Sequence, residues 1–146
     1  MQNSSPHRSS IGQLNANSVA ALCYGITLIL FFIRGFQFCA WLLPLAVYIL
    51  EKESAFVKFH AFQAFLLNIS SAVIKLLIRI VWRTTHTAYS FFLIRFMGTG
   101  LTLALNILGS VISILVIIFA IIGLAKSSKY EYYKIPIIGE IANHIL

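Results

Sequence analysis

The amino-acid sequence predicts an all-α protein, namely an integral membrane four-helix bundle with an amphipathic C-terminal segment at the membrane interface. Of the 146 residues, 60% are hydrophobic and only 10% are charged, whereas soluble domains average about 25% charged residues. The apolar residues form long runs with short polar breaks between them. A soluble fold this short could not bury so much apolar surface, because small domains keep much of their surface exposed. We therefore expect the chain to lie in a lipid bilayer.

The first part of the chain predicts a tail followed by two short helices. Residues 1–16 are polar and lack apolar periodicity, which is typical of a flexible tail. As a single helix, the apolar stretch of residues 19–50 would be about 48 Å long and would exceed a hydrocarbon core of about 30 Å. We therefore predict a break at residues 34–37, with helices at about 17–33 and 36–50. Both are short for a span, so a tight re-entrant hairpin is an alternative, and Pro44 is expected to kink the second helix.

Two longer helices are predicted in the second part. Ser54 can cap the start of a helix at about residues 55–82. Its far end carries Lys75, Arg79 and Arg83, whose long side chains can reach towards lipid headgroups. After a connection, residues 101–125 form the clearest span, because they contain no charged residue.

The last residues, 126–146, combine a basic aromatic belt with a short apolar segment. The belt contains Lys126, Lys129 and three Tyr residues, and Pro136 opens the apolar segment. Basic and aromatic residues of this kind are typical of the membrane interface. We expect the apolar segment to form an amphipathic helix that lies on the membrane.

Polar side chains recur along one face of the third predicted helix at steps of three or four, and a milder stripe follows the fourth. Such a stripe has two interpretations, which the sequence leaves open. Polar and small residues can hold membrane helices together through hydrogen bonds. Alternatively, they can line a hydrated groove that accepts a substrate or a partner segment. The candidate binding residues of such a groove are His60, Gln63, Asn68, Ser71, Lys75 and Asn106.

The distribution of reactive residues argues against an enzyme. All four acidic residues lie at expected interfaces, so no carboxylate is available for proton transfer within the membrane. The four His residues are too dispersed to suggest a metal site, and no nucleotide-binding or nucleophile motif is present. We expect no cofactor. The net charge of +7 comes from scattered basic residues, which suit lipid headgroups better than nucleic acid.

Three motifs resemble a family of small bacterial and archaeal membrane proteins of unassigned function. They are NSVAALCY at residues 17–24, EKESAFVKFHAFQA at residues 51–64 and KIPIIGEIA at residues 134–142. The family is related to a chloroplast inner-envelope component of the Tic protein-import translocon. The resemblance implies a four-helix membrane bundle with both termini on one side. The chain departs from the family pattern in its longer 19–50 region and in Phe62, where Met is usual.

Two functions from different classes remain open at this stage. The first is a binding or accessory component, which the distant resemblance would connect with protein translocation or membrane-protein assembly. The alternative is an oligomeric small transporter or channel with a polar path along helix three. Under either function, the partners of the chain would be the lipid bilayer and either another protein or further copies of the chain. We expect a multi-pass protein of the bacterial cytoplasmic membrane, and a weak excess of basic residues on the side of the termini predicts that both termini lie in the cytoplasm.

Overall fold

The computed structural model describes the backbone of residues 4–33, 35–88 and 92–145, and it confirms an all-α fold. In these ranges no strand forms, and the only extended pairing is an isolated bridge between Arg8 and Asn15. The helices are α1 Ala16–Phe32, a 3-10 turn Phe36–Phe38, α2 Leu42–Leu50, α3 Ala55–Ala88, α4 Phe92–Ser128 and α5 Ile138–Ile145.

The break between the first two helices lies where the sequence predicts it. Gly35 has a φ of 93°, a left-handed conformation that favours glycine, and it ends the extended connection from α1. Arg34 lies outside the described residues. The second helix differs from its prediction, because the chain forms only a 3-10 turn before α2 begins at Leu42. Pro44 lies in the first turn of α2, where its missing N–H costs no helical hydrogen bond, so it starts a helix and does not kink one.

The third and fourth helices are longer than predicted. Most of the expected connection between them is helical, because α3 continues to Ala88 and α4 already begins at Phe92. Its described residues, 84–88 and 92–100, contain no proline that would interrupt a helix. Among the described residues, two helical segments are long and apolar enough to cross a membrane, Ala55–Thr84 and Gly100–Ser128. With 17 residues, α1 is apolar but shorter.

We call the end of the bundle that holds Ala55 and Ser128 the near end, and the end that holds Ala88 and Phe92 the far end. Helix α1 leaves the near end, where the Asn17 side-chain amide donates a 3.0 Å hydrogen bond to the Ser128 carbonyl. It stops beside the middle of α3, where the Phe31 ring lies 4.6 Å from the Lys75 ammonium. Helix α2 returns along α3. The α1–α2 hairpin therefore covers only the near half of the α3–α4 pair.

The N-terminal segment differs from the expected flexible tail. Its described residues 4–15 fold over the near end, and Ser9 is only 3% exposed. A tight turn brings Ser9 and Leu14 together through a backbone hydrogen bond of 2.8 Å. Gly12 has a φ of 61° at this turn. The segment becomes ordered because its serines find a buried acceptor in Glu51.

The C-terminal residues also pack more closely on the bundle than a purely interfacial segment would. Ile135 is only 1% exposed, and Ala142 of α5 is completely buried. The other face of α5 exposes Ile141 and Ile145, four residues apart, and Ile137, just before the helix, is also exposed. Helix α5 is therefore amphipathic, as predicted. That its exposed face lies on the membrane remains a prediction.

Candidate functional site

The structure divides the predicted polar stripe into two parts with different surroundings. His60, Gln63, Asn68 and Ser71 are buried, with exposed fractions of 7% or less. Lys75 and Asn106 instead line an open cleft between α3 and α4. The six candidate residues thus do not form one continuous groove. The four buried residues pack between helices towards the near end, whereas Lys75 and Asn106, in the far half, remain accessible.

We call the first part the buried polar cluster; its side chains are Tyr24, Thr27, His60, Gln63 and Asn68. His60 Nε2 lies 3.2 Å from the Glu131 carbonyl, which can only accept, so this nitrogen carries the hydrogen. His60 Nδ1 therefore accepts from the Tyr24 hydroxyl at 3.3 Å. The Tyr24 oxygen in turn accepts from Gln63 Nε2 at 3.1 Å. These bonds form one directed chain from α3 through α1 to the C-terminal segment.

The remaining hydrogen bonds of the buried polar cluster connect α3 with α1 and with the C-terminal segment. Gln63 Nε2 also donates to the Tyr133 carbonyl at 3.1 Å, and Gln63 Oε1 accepts from the Ile135 amide at 3.3 Å. Asn68 Nδ2 donates to Thr27 Oγ1 and to the Ala64 carbonyl, both at 2.8 Å. Buried polar groups satisfied in this way hold helices together. For this half of the stripe, the geometry favours the helix-contact interpretation over a polar path.

A second polar site closes the near end around the Glu51 carboxylate. It accepts hydrogen bonds from the hydroxyl groups of Ser9 and Ser10 and from the backbone amides of Ser10, Glu53 and Ser54. Burial alone would raise the pKa of Glu51, but these bonds outweigh it and hold the pKa at about 2. Ser54 caps α3 as predicted, because its hydroxyl accepts from the Val57 amide at 3.1 Å.

The second part of the stripe lies in a cleft of about 600 Å³, which we call the lateral cleft. Its polar lining comes from α3 and α4 and consists of Lys75, Arg79, Asn106, Ser110 and Ser113. Its floor is formed by two aromatic side chains at the tip of the α1–α2 hairpin. Phe31 lies 4.6 Å from the Lys75 ammonium, and Phe38 lies 4.8 Å from the Arg79 guanidinium carbon. Both cations are thus held over ring faces.

None of the four acidic side chains, all of which the structure describes, lines the lateral cleft. The sequence contains four acidic residues, and all of them are at the near end: Glu51, Glu53, Glu131 and Glu140. Glu131 pairs with Lys126 at 2.6 Å, which together with nearby positive charge lowers its pKa. Lys75 and Arg79 therefore carry positive charge that the chain itself does not neutralise.

Several residues of these sites were not among the predicted binding residues. Arg79 was expected only to reach towards headgroups, yet it lines the lateral cleft four residues after Lys75. That spacing on a helix places both side chains on one face, which was a usable signal. No sequence pattern indicated that Phe31 and Phe38 form the floor of the cleft, because their position depends on where the hairpin ends. Within the described ranges, no group of three or more His, Cys, Asp or Glu residues could hold a metal ion.

Two relatives from Methanocaldococcus jannaschii match most of the chain. UPF0132 membrane protein MJ1443 is 30% identical over 135 residues, which cover 92% of this chain and 91% of the relative. UPF0132 membrane protein MJ1527 is 29% identical over 133 residues, which cover 88% of this chain and 69% of the relative. Both are named membrane proteins, and neither name states an activity. No solved structure matches the chain.

These relatives confirm the expected resemblance to small membrane proteins of bacteria and archaea in its archaeal part, whereas the relation to the chloroplast import component stays a prediction. A broader match comes from a family profile that covers residues 15–142, nearly the whole chain beyond the N-terminal segment. That range includes the buried polar cluster, Glu51 itself and the lateral cleft, but not Ser9 and Ser10, which donate to Glu51. The chain belongs to the MamF/MmsF family, the magnetosome magnetite crystal formation protein family.

Proposed function

We propose that the protein is a non-enzymatic binding component of the membrane whose lateral cleft receives an anionic group. One observation carries this proposal: Lys75 and Arg79 line an open cleft, and none of the four acidic side chains lies there to neutralise them. Ionisable residues at membrane depth are costly, and they usually face a partner or a water-filled cavity. A cleft with two cations is therefore best explained as a site for something that enters from outside the chain.

The exposed apolar surface of α4 supports one particular placement of the membrane along the length of the bundle. Large apolar side chains are exposed from Leu101 to Ile121. At about 1.5 Å per residue, this stretch is about 30 Å long, the thickness of a hydrocarbon core. Gly109, near its middle, faces Ile78 of α3. Lys75 and Arg79 lie within one turn of Ile78, so this placement puts both cations deep within the membrane.

The same placement makes the α1–α2 hairpin re-entrant. Its tip lies beside Lys75 and Arg79, and the hairpin therefore turns back at about half the membrane depth. We thus propose two spanning helices, α3 and α4, and a re-entrant hairpin, in place of the expected four spans. The termini would share the near end. Its basic residues favour the cytoplasmic side of the bacterial membrane under the positive-inside rule.

The free-energy cost of placing two cations within the membrane supports the presence of a bound group that compensates them. On insertion scales, a Lys or Arg at the centre of a membrane helix costs about 2.5–3.5 kcal/mol. A cation–π contact returns about 0.5–2 kcal/mol. The contacts with Phe31 and Phe38 therefore offset only part of the cost. Water and an anion in the lateral cleft would offset the remainder.

The family name points to crystal formation in magnetosomes, and the charges of this chain bear on how it could contribute. Iron and other hard cations prefer oxygen ligands such as carboxylates. This chain has only four, and Glu51 is buried with its oxygens already accepting hydrogen bonds. We therefore propose that the chain acts through its membrane-embedded cleft, by organising lipids or partner proteins, and not as a direct mineral-binding surface.

Cysteine accessibility tests the proposed cleft. After replacement of Cys23 and Cys39, single cysteines are placed at Asn106 and Ser110 in the cleft. Matched controls are placed at Ile107 and Val111, which lie at the same depth on the exposed apolar face of α4.

Cleft cysteines should react with a membrane-impermeant thiosulfonate in reconstituted vesicles, because thiolates form only where water reaches. Control cysteines should stay unreactive. Equal protection of both pairs would show that the cleft is dry and would overturn the proposed function.

A further inference from the structure

We propose that the ligand of the lateral cleft is the phosphate headgroup of an anionic phospholipid, drawn in from the leaflet at the far end. This inference rests on the proposed function, because it assigns a ligand to the same cleft. It goes further by naming the chemical class, the source and the direction of entry.

Three basic residues of α3 follow one another at four-residue intervals towards the far end. Lys75 and Arg79 are four residues apart, and Arg83 follows after four more, so all three share one face of the helix. Each step along the helix axis is about 6 Å. A headgroup that enters from the far surface would thus pass the level of Arg83 and meet Arg79 before Lys75. Successive cations at this spacing can hold an anion below the normal headgroup depth.

The hydrogen-bond donors that line the lateral cleft suit the oxygen atoms of a phosphate group. The planar guanidinium of Arg79 can present two parallel N–H groups to phosphate oxygens, and the Lys75 ammonium adds a point charge. Because Phe31 and Phe38 lie over one side of each cation, the remaining N–H groups stay available to the cleft. Asn106 on α4 adds an amide donor at the facing wall.

The walls of the cleft favour a lipid over a free anion. Ile78, Leu105 and Ile117 provide an apolar lining beside the cations. Ile114 belongs to the cleft and is also 56% exposed on the outer surface of α4. The cleft is thus continuous with the apolar surface that faces the acyl chains. An amphiphile with an anionic head can occupy both at once, whereas a soluble anion would leave the apolar lining without a partner.

Charge placement also argues against a second copy as the occupant. A neighbouring copy inserted in the same direction would bring its four carboxylates to the near end, far from Lys75 and Arg79. It could not neutralise either cation. The anion must therefore come from another molecule.

Lipid photocrosslinking in nanodiscs tests the proposal with the full-length protein. A phosphatidylglycerol carrying a photoreactive headgroup is compared with the equivalent phosphatidylcholine, and adducts are located by mass spectrometry. The test variant is Lys75→Gln/Arg79→Gln. The matched control, Lys52→Gln/Lys129→Gln, removes two exposed cations from the near end. Lys75→Arg serves as a conservative variant that keeps the charge.

We expect phosphatidylglycerol adducts on cleft residues of α3 and α4, at least fivefold above those of phosphatidylcholine. The test variant should lose this preference, while the control and Lys75→Arg should keep it. Helical content by circular dichroism should not change in the test variant, because it removes charges from the membrane interior. A variant that unfolds is replaced by single Gln substitutions, each expected to reduce the preference at least twofold.

Three results would overturn the proposal. Equal labelling by both lipids would show that headgroup charge is irrelevant. Cleft adducts that persist without the two cations would show that they do not bind the phosphate. Suppression of adduct formation by 10 mM inorganic phosphate, added before irradiation, would identify a soluble anion as the ligand. If cleft cysteines are hydrated but lipid selectivity is absent, the proposed function stands and only the lipid assignment fails.

Discussion

Gly123 of α4 lies against the ring of Tyr24 on α1, and replacing this glycine by Ala should destabilise the bundle. A Cβ atom at Gly123 would lie 2.6 Å from Tyr24 Cε1 and 2.8 Å from Tyr24 Cζ, much closer than carbon atoms normally approach. The ring cannot move away freely, because Tyr24 is completely buried and its hydroxyl is bonded to Gln63 and His60. Either the helices separate or these hydrogen bonds break.

The magnitude follows from comparison with Gly109 on the same helix. A Cβ atom at Gly109 would meet only Ile78 Cδ1, at an ordinary contact distance of 3.9 Å. Both Gly→Ala changes should gain about 1 kcal/mol of helix propensity. The difference between the variants therefore isolates overpacking, which costs about 1–3 kcal/mol. Each membrane hydrogen bond of Tyr24 that breaks would add about 0.6 kcal/mol.

The assay is reversible unfolding in mixed micelles with increasing dodecyl sulfate, followed by circular dichroism. Gly123→Ala should unfold with a free energy about 1–3 kcal/mol below that of Gly109→Ala. Combining Gly123→Ala with Tyr24→Leu should recover part of the loss, because the two sites are in contact and their effects are not additive. Equal stability of the two glycine variants, or strict additivity with Tyr24→Leu, would refute the packing argument.

Three further predictions test the buried polar cluster, the Glu51 site and the C-terminal segment by the same unfolding assay. Asn68→Leu should cost about 0.6–2 kcal/mol, whereas Asn106→Leu, at an exposed position, should cost almost nothing; equal costs would contradict the division of the stripe. The lowered pKa of Glu51 stabilises the fold above pH 4.5, and this contribution should be lost as the pH falls from 4.5 towards 2. Glu51→Gln should flatten that part of the pH profile, and an unchanged slope would count against it. Ile135→Ala should cost about 2–5 kcal/mol, but Ile137→Ala, at a 75% exposed position, should be near neutral; similar losses would mean that the C-terminal segment does not pack as described.

Local sequence signals predicted the features that depend on local chemistry. The break at residues 34–37 was predicted from the length of the apolar stretch and its interruption there, and the cap at Ser54 followed from its position before an apolar helix. The polar stripe of α3 followed from helical periodicity. These features need only a few neighbouring residues, so the sequence alone contains the information.

Features that depend on distant contacts could not be predicted in this way. The N-terminal segment is polar and looked flexible, but Ser9 and Ser10 bind Glu51, more than 40 residues away. Burial of Ile135 depends on its amide reaching Gln63. Hydropathy likewise identified the apolar hairpin, but it did not indicate how far along α3 the hairpin extends before it turns back. In each case the deciding interaction joins segments whose proximity is set only by the complete fold.

The length of the α1–α2 hairpin decides what the polar stripe of α3 does. Up to Ser71, the stripe residues are buried, and their polarity is used in packing. Beyond that point α1 ends at Phe32, and the chain turns at Gly35. Lys75 and Arg79 follow in the same helical register, but only the aromatic tip of the hairpin covers them. A single periodic pattern thus yields a packed contact in one half and a cationic cleft in the other. If α1 continued for two more turns, those cations would face a helix without a carboxylate, and their cost would have no compensation. The early stop of the hairpin is therefore what makes a binding site out of a packing stripe.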